Sequence, residues 1–156
     1  MTTLGELAGV IRDVLPLVGP EIGRHGIILE MSLAPDLPQV IGDRIQLQQV
    51  LLNLLVNAVE ALREVAPERR RLTLHSTVEY RDDGPWAVVR VEDGGVGLRE
   101  SEPARLFEAF YTTKPGGLGM GLSISRSIIE GHGGRLWATA NADHGATFHF
   151  TLPGMR

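Results

Sequence analysis

Asp43-Arg44-Ile45-Gln46-Leu47-Gln48-Gln49-Val50-Leu51-Leu52-Asn53-Leu54-Leu55-Val56-Asn57-Ala58-Val59-Glu60 is the stretch that decides the fold. Leu47, Val50, Leu51, Leu54, Ala58 and Leu62 recur every three or four residues and form one apolar stripe through about residue 65. Asp43 reads as the N-cap, with Gln46 as its reciprocal partner. The opposite face carries Gln46, Gln49, Asn53, Asn57 and Glu60. Polar residues opposite a core stripe normally just face water. Two asparagines at spacing four are harder to explain that way, because asparagine is a mediocre helix former. Its side-chain oxygen is a neutral hard ligand, suited to a Mg²⁺ ion that keeps most of its charge for phosphate oxygens.

Outward from this helix the pattern alternates between helix and strand. Leu4, Leu7, Ile11, Leu15 and Ile22 predict an amphipathic helix over residues 3–25, bent near Gly19-Pro20. Residues 27–33 read as a strand and 34–38 as a turn. Residues 71–80 and 86–91 predict a hairpin with a slightly long loop around Asp82-Asp83-Gly84. Residues 118–130 predict a second strong helix, ended by Gly131, Gly133 and Gly134. Residues 135–142 and 146–152 close the chain as two strands. The expected architecture is an α+β two-layer sandwich. A mixed, mostly antiparallel sheet of about five strands is covered on one face by about three helices.

Composition narrows the functional classes. At 156 residues and 17.0 kDa the chain reads as one domain. Area scaling buries roughly 69% of its unfolded surface, enough for a real core. With no cysteine there are no disulfides, thiolate metal sites or thiol nucleophiles. A net charge of −4 argues against nucleic acid as a partner. The longest apolar run, residues 50–59, is too short to span a membrane, and the first 14 residues lack a signal-peptide pattern. Arg69-Arg70-Arg71 reads as a solvated strand start. Glycine is the outlier: 19 residues, clustered.

Two clusters carry chemistry. Val91-Glu92-Asp93-Gly94-Gly95-Val96-Gly97 places a carboxylate at a strand end, with glycines that let a ligand approach the backbone. An ordinary Asp-Gly turn is the bland alternative. Gly116-Gly117-Leu118-Gly119-Met120-Gly121-Leu122 leads straight into a helix, whose exposed N–H groups attract phosphate. A loop precedes it, so it is not a dinucleotide fingerprint, and no Gly-Lys-Ser/Thr follows, so it is not a P-loop. Lys114 adds a cation just before it.

In order and spacing these segments resemble the N, G1, F and G2 boxes of the ATP-binding catalytic domain of sensor histidine kinases. The N box is Asn53-Leu54-Leu55-Val56-Asn57-Ala58 and the G1 box is Asp93-Gly94-Gly95-Val96-Gly97. The F box is Leu106-Phe107-Glu108-Ala109-Phe110-Tyr111-Thr112-Thr113-Lys114 and the G2 box is Gly117-Leu118-Gly119-Met120-Gly121-Leu122. Gly145-Ala146-Thr147-Phe148 matches the last strand. The family shares a superfamily with type II topoisomerases, mismatch-repair ATPases and a heat-shock chaperone. The resemblance implies ATP and Mg²⁺ as ligands. Asp93 would accept from the adenine amino group and Thr147 would support that contact. Gly95 and Gly97 would let adenosine lie against the backbone. Asn57 would coordinate Mg²⁺, with Asn53 near the same ion; these two form the catalytic pair. Gly117, Gly119, Gly121 and Leu122 would wrap the triphosphate, with Lys114 a phosphate contact. Phe107 and Phe110 would anchor the lid or touch partner helices.

The resemblance also implies partners: a histidine-bearing dimerisation segment and a response regulator, in the cytoplasm, with the parent kinase free to be membrane-anchored. Relatives often carry a basic residue near Glu60; here it is acidic. His25, His75, His132, His144 and His149 are followed by Gly, Ser, Gly, Gly and Phe, so none begins the His-Glu or His-Asp motif of a phosphoacceptor. Residues 1–156 are therefore expected to be the catalytic domain alone, unable to phosphorylate itself. The alternatives are a superfamily ATPase driving a clamp, a serine kinase of the anti-sigma type, and a nucleotide-binding module without catalysis. In the clamp ATPases a glutamate stands where Asn53 stands, and an amide cannot take a proton.

Overall fold

The structure is a computed structural model and describes residues 3–95, 121–141 and 144–155. The elements run β1 (Thr3–Glu6), α1 (Leu7–Arg24), β2 (Ile28–Ser32), β3 (Gln39–Gly42), α2 (Arg44–Leu62), a 3-10 turn (Pro67–Arg69), β4 (Arg71–Arg81), β5 (Gly84–Asp93), α3 (Gly121–Gly131), β6 (Arg135–Ala140) and β7 (Ala146–Pro153). The main sheet has the order β2-β4-β5-β7-β6; β2 runs parallel to β4 and the other pairs are antiparallel. Helices α1, α2 and α3 are the other layer, so the two-layer α+β expectation holds.

Helix α2 is the centre of the core. Leu47, Val50, Leu51, Leu54, Leu55, Ala58, Val59 and Leu62 are all buried, and the helix packs on α1, α3, β4 and β5. By length and composition alone it could cross a membrane; here its leucine stripe is spent on the core. The sheet answers with every second residue: Leu72 and Leu74, Val89 and Val91, Phe148, Phe150 and Leu152, and Leu136 are buried beneath the helices. The alternate residues face outward. One transverse row of cross-strand partners is Ser32, His75, Arg90, His149 and Trp137. The His149 and Trp137 rings stack at 4.9 Å.

Three local readings differ from expectation. Residues 3–6 form a strand, not the first helical turn, because their backbone pairs with Gln39–Gly42 in a separate two-stranded sheet. Helix α1 then runs through Pro16 and Pro20, which lie on its exposed side. The β4–β5 connection is tighter than predicted: Arg81 pairs with Gly84 across Asp82-Asp83, and Gly84 adopts φ 117°. Arg70 is no solvated surface charge. Its guanidinium donates to the carbonyls of His25, Arg63 and Val65, capping the ends of α1 and α2 together.

The caps of α2 and α3 are joined. The Asp43 carboxylate accepts from the Gln46 N–H at 3.1 Å, which holds its carboxyl below the ordinary value. The Asp43 N–H does not wait for Gln46: it donates to His132 Nε2 at 3.0 Å. His132 Nδ1 lies 2.7 Å from the Ile128 carbonyl. The acceptor role of Nε2 makes Nδ1 the protonated nitrogen of a neutral ring. One imidazole thus caps the end of α3 and ties it to the start of α2.

Candidate nucleotide site

Asp93 is the last residue of β5, and alternation sends its side chain inward with Val89 and Val91. A carboxylate only 3% exposed costs several kcal/mol unless it is hydrogen-bonded. The Gly95 N–H donates to its Oδ1 at 2.9 Å. Gly95 has no room for a side chain: a Cβ there would lie 2.9 Å from the Ala61 Cβ. The glycine therefore lets the loop after β5 lie flat on the last turn of α2. Beneath it, Gly145 has φ 88°, and a Cβ there would fall on the Asp93 carbonyl oxygen. Both left-handed backbone and close approach demand glycine at 145.

The second part lies two turns back along α2. The Asn53 Nδ2 donates to Ser125 Oγ on α3 at 3.2 Å, and Ser125 is buried. A Cβ on Gly121, the first residue of α3, would be 2.7 Å from Asn53 Oδ1. Glycine thus seats the first described residue of α3 directly on the Asn53 amide. Leu122 packs at the edge of the core. Asn57 stands between, half-buried, one turn from Asn53. From Asn53 to Ala61, where the Asp93–Gly95 corner packs, is about 12 Å along the helix axis.

Of the site residues expected from the sequence, the structure brings Asn53 and Gly121 together at the middle of α2, and Asp93 and Gly95 together at its C-terminal end. Gly97, Lys114, Gly117, Gly119, Phe107 and Phe110 lie outside the described residues. Thr147 is placed elsewhere. It pairs with Glu92, so its side chain takes the outward face, and its Oγ1 donates to Asn141 Oδ1 at 2.6 Å. Ala146 is the residue opposite Asp93. Sequence reasoning missed Asn141 and Ser125. The signal for Ser125 was its place four residues after Gly121, on the same side of α3. Among the described residues no three His, Asp or Glu gather as a metal cage. The Asn57 amide fits an ion that draws its remaining oxygens from phosphates and water.

A buried strand-end carboxylate and a glycine-seated helix N-terminus, set along one central helix, define a nucleotide-binding ATPase fold. Residues 42–156 match the family described as histidine kinase-, DNA gyrase B-, and HSP90-like ATPase, and the chain belongs to it. Within that family it is the ATP-binding domain of a sensor histidine kinase. It is 43% identical over 144 residues to the sensor protein TdiS of Thauera aromatica, covering 92% of this chain and 26% of that protein. It is 50% identical over 129 residues to the sensor protein FixL of Bradyrhizobium diazoefficiens, covering 83% and 25%. The chain thus spans about a quarter of these relatives. The nucleotide-free catalytic domain of the histidine kinase ThkA superposes with a TM-score of 0.82 at 32% identity, over 98% of this chain and 95% of that one. Full-length ShkA in complex with AMPPNP gives 0.81 at 29% identity, over 97% and 31%. ThkA is also known in complex with its response regulator TrrA.

Proposed function

We propose that this domain binds Mg-ATP along α2 and donates the γ-phosphate to a histidine on a separate dimerisation segment. The observation that carries the reading is a pair of close glycine contacts on α2: Gly95, beside Asp93, packs on Ala61 for the base, and Gly121 packs on Asn53 for the phosphates, Ala61 and Asn53 being about 12 Å apart along the helix axis. A carboxylate offers only acceptors, so Asp93 selects the amino group of adenine. Gly95, with Gly97 beyond it, lets the nucleoside lie on the backbone. The first N–H groups of α3, with Gly117, Gly119 and Lys114 before them, receive the triphosphate. Asn57 would hold Mg²⁺, with Asn53 nearby; the ion would neutralise charge on the β- and γ-oxygens.

Transfer is favoured over hydrolysis by Asn53. It stands where a clamp ATPase needs a base, it is an amide, and its nitrogen is engaged by Ser125. Catalysis then rests on bringing an acceptor imidazole in line with the γ-phosphorus. The imidazole nitrogen forms the new P–N bond as the bond to the bridging oxygen breaks and ADP leaves. Phe107, Phe110 or Tyr111 would dock the acceptor helix. A response regulator would take the phosphoryl group onward, in the cytoplasm, wherever the parent kinase is anchored.

The test is a labelled-ATP transfer assay with and without the cognate dimerisation segment. The domain alone stays unlabelled and hydrolyses ATP very slowly. Added segment acquires acid-labile, base-stable phosphohistidine. Brisk hydrolysis by the lone domain supports the clamp-ATPase alternative, and label on a serine of another protein supports the anti-sigma type.

A further inference from the structure

We infer that Ser125 is a positioning residue for the metal and phosphate end of the site, acting through the Asn53 amide. The inference rests on the Mg-ATP reading above. The two ends of the Asn53 amide meet different parts of α3. Its Nδ2 donates to Ser125 Oγ at 3.2 Å. Its Oδ1 lies against Gly121, where a Cβ would be 2.7 Å away. Gly121 and Ser125 are four residues apart, so they stand one turn above the other on the same side of α3. Ser125 is only 2% exposed, so water does not compete for its hydroxyl. Among the described residues it is the only hydrogen-bond partner of the Asn53 side chain.

An asparagine amide has two ends of similar size and opposite polarity, and a half turn exchanges them. Its neighbours decide which way it lies. A serine hydroxyl can serve either end, because it both donates and accepts. Gly121 cannot serve the nitrogen: the side it turns to the amide is a bare Cα. Turned over, the amide would keep a bond to Ser125 through its oxygen but leave its N–H groups against carbon, and an unmet donor is costly. The observed orientation satisfies the nitrogen and leaves the oxygen unspent among the described residues. Only that orientation suits Mg²⁺, which takes oxygen ligands. Without the Ser125 oxygen, neither orientation gives the nitrogen a partner. The two then become nearly equal in energy, and the amide presents N–H groups as readily as oxygen. Binding of the ion must select the productive orientation at the expense of affinity.

The experiment measures binding of ATP by calorimetry, with Mg²⁺ and with chelator, and of adenosine, with thermal melts of each variant. Ser125→Ala should weaken Mg-ATP about 3- to 10-fold, the worth of an ordinary hydrogen bond, and leave adenosine and metal-free ATP within about twofold. Ser125→Cys keeps the volume but accepts only weakly. It should show most of the same loss, and it serves alone should Ser125→Ala not fold. In an Asn53→Ala background, Ser125→Ala should add nothing. Equal losses with and without Mg²⁺, an unchanged Mg-ATP affinity, or full recovery in Ser125→Cys would overturn the role of Ser125 while the Mg-ATP reading stands. Wild-type protein that binds ATP equally with and without Mg²⁺ would remove the ion from the site, and this inference with it.

Discussion

Helices α2 and α3 meet at two glycine-seated joints, and the joints are built for different ends. At the first, Gly42 lies under His132, and a Cβ there would be 2.6 Å from the imidazole. Both ring nitrogens are committed, one to the Ile128 carbonyl and one to the Asp43 N–H. At the second, Gly121 lies under Asn53, and the amide binds Ser125 through a longer, 3.2 Å bond. The device is the same: a missing side chain admits a polar group between two helices. The first joint closes helix ends against themselves. The second spends only the Asn53 nitrogen, on Ser125, and leaves the amide oxygen facing Gly121. The lesson is that a close glycine–polar contact closes a joint where every polar atom is committed to the fold.

Four substitutions break or sharpen that contrast. The largest effect on function is expected from Asp93→Asn, at the far end of the groove from Gly121. An amide that turns its donor to the base should lose ~1.5–3 kcal/mol of ATP binding, roughly 10- to 150-fold. Calorimetry that finds Mg-ATP affinity unchanged would remove Asp93 from the site. Next is His132→Ala at the closed joint. It takes the acceptor from the Asp43 N–H, while the Ile128 carbonyl keeps the backbone N–H of residue 132, and should cost about 1–3 kcal/mol of stability. Urea melts should register that loss while the folded variant binds ATP as wild type does; weakened binding would show that both joints serve the site. Third, Gly121→Ala must push the Asn53 amide aside. It should weaken triphosphate binding several-fold but adenosine binding little, since only the phosphate end is disturbed; equal losses for both would contradict the division of the groove.

The smallest effect belongs to the outward row. Burial, and then the Arg90 guanidinium across the ladder, hold the His149 imidazole below its ordinary value. Its Nδ1 is buried without a partner among the described residues, and Nε2 lies 2.9 Å from Thr139 Oγ1. The unfolded chain then binds the proton more readily than the folded one, so stability falls as pH drops through about 6.5. His149→Phe keeps a ring on Trp137 and should flatten that slope in melts between pH 7.5 and 5.5. An unaltered slope would assign it to another group.

The sequence was most legible where period and motif coincide. The α2 stripe spans several turns, so its helix and its buried face follow from spacing. Asp93 and Gly95 could be read because a carboxylate followed by glycines interrupts an aliphatic strand. β1 and β3 could not. Four residues each carry too little alternation, and each is a strand only because the other exists. Thr147 shows the limit at single-residue resolution. Its place in the last strand was legible, but a strand alternates its faces, so pairing with Glu92 sends the hydroxyl away from the carboxylate. His132, beside Gly131, Gly133 and Gly134, reads as a helix-end cap, and it is one; its bond to Asp43, 89 residues away, and the Asn141 bond to Asp93, 48 residues away, follow from no local pattern.

The parallel β2–β4 pair has a kinetic consequence. Neighbours in a hairpin can zip from their turn, but β2 cannot meet β4 until β3, α2 and the capped end at Arg70 have been laid down between them. Long-range pairing of this kind comes late, after its closure entropy is repaid by other contacts. Until then the edge strand waits with Ile28, Met31 and Leu33 uncovered, and all three stay largely exposed even in the native fold. During refolding at high protein concentration this edge is where one chain would find another, and yield should drop with concentration before the core itself is at risk.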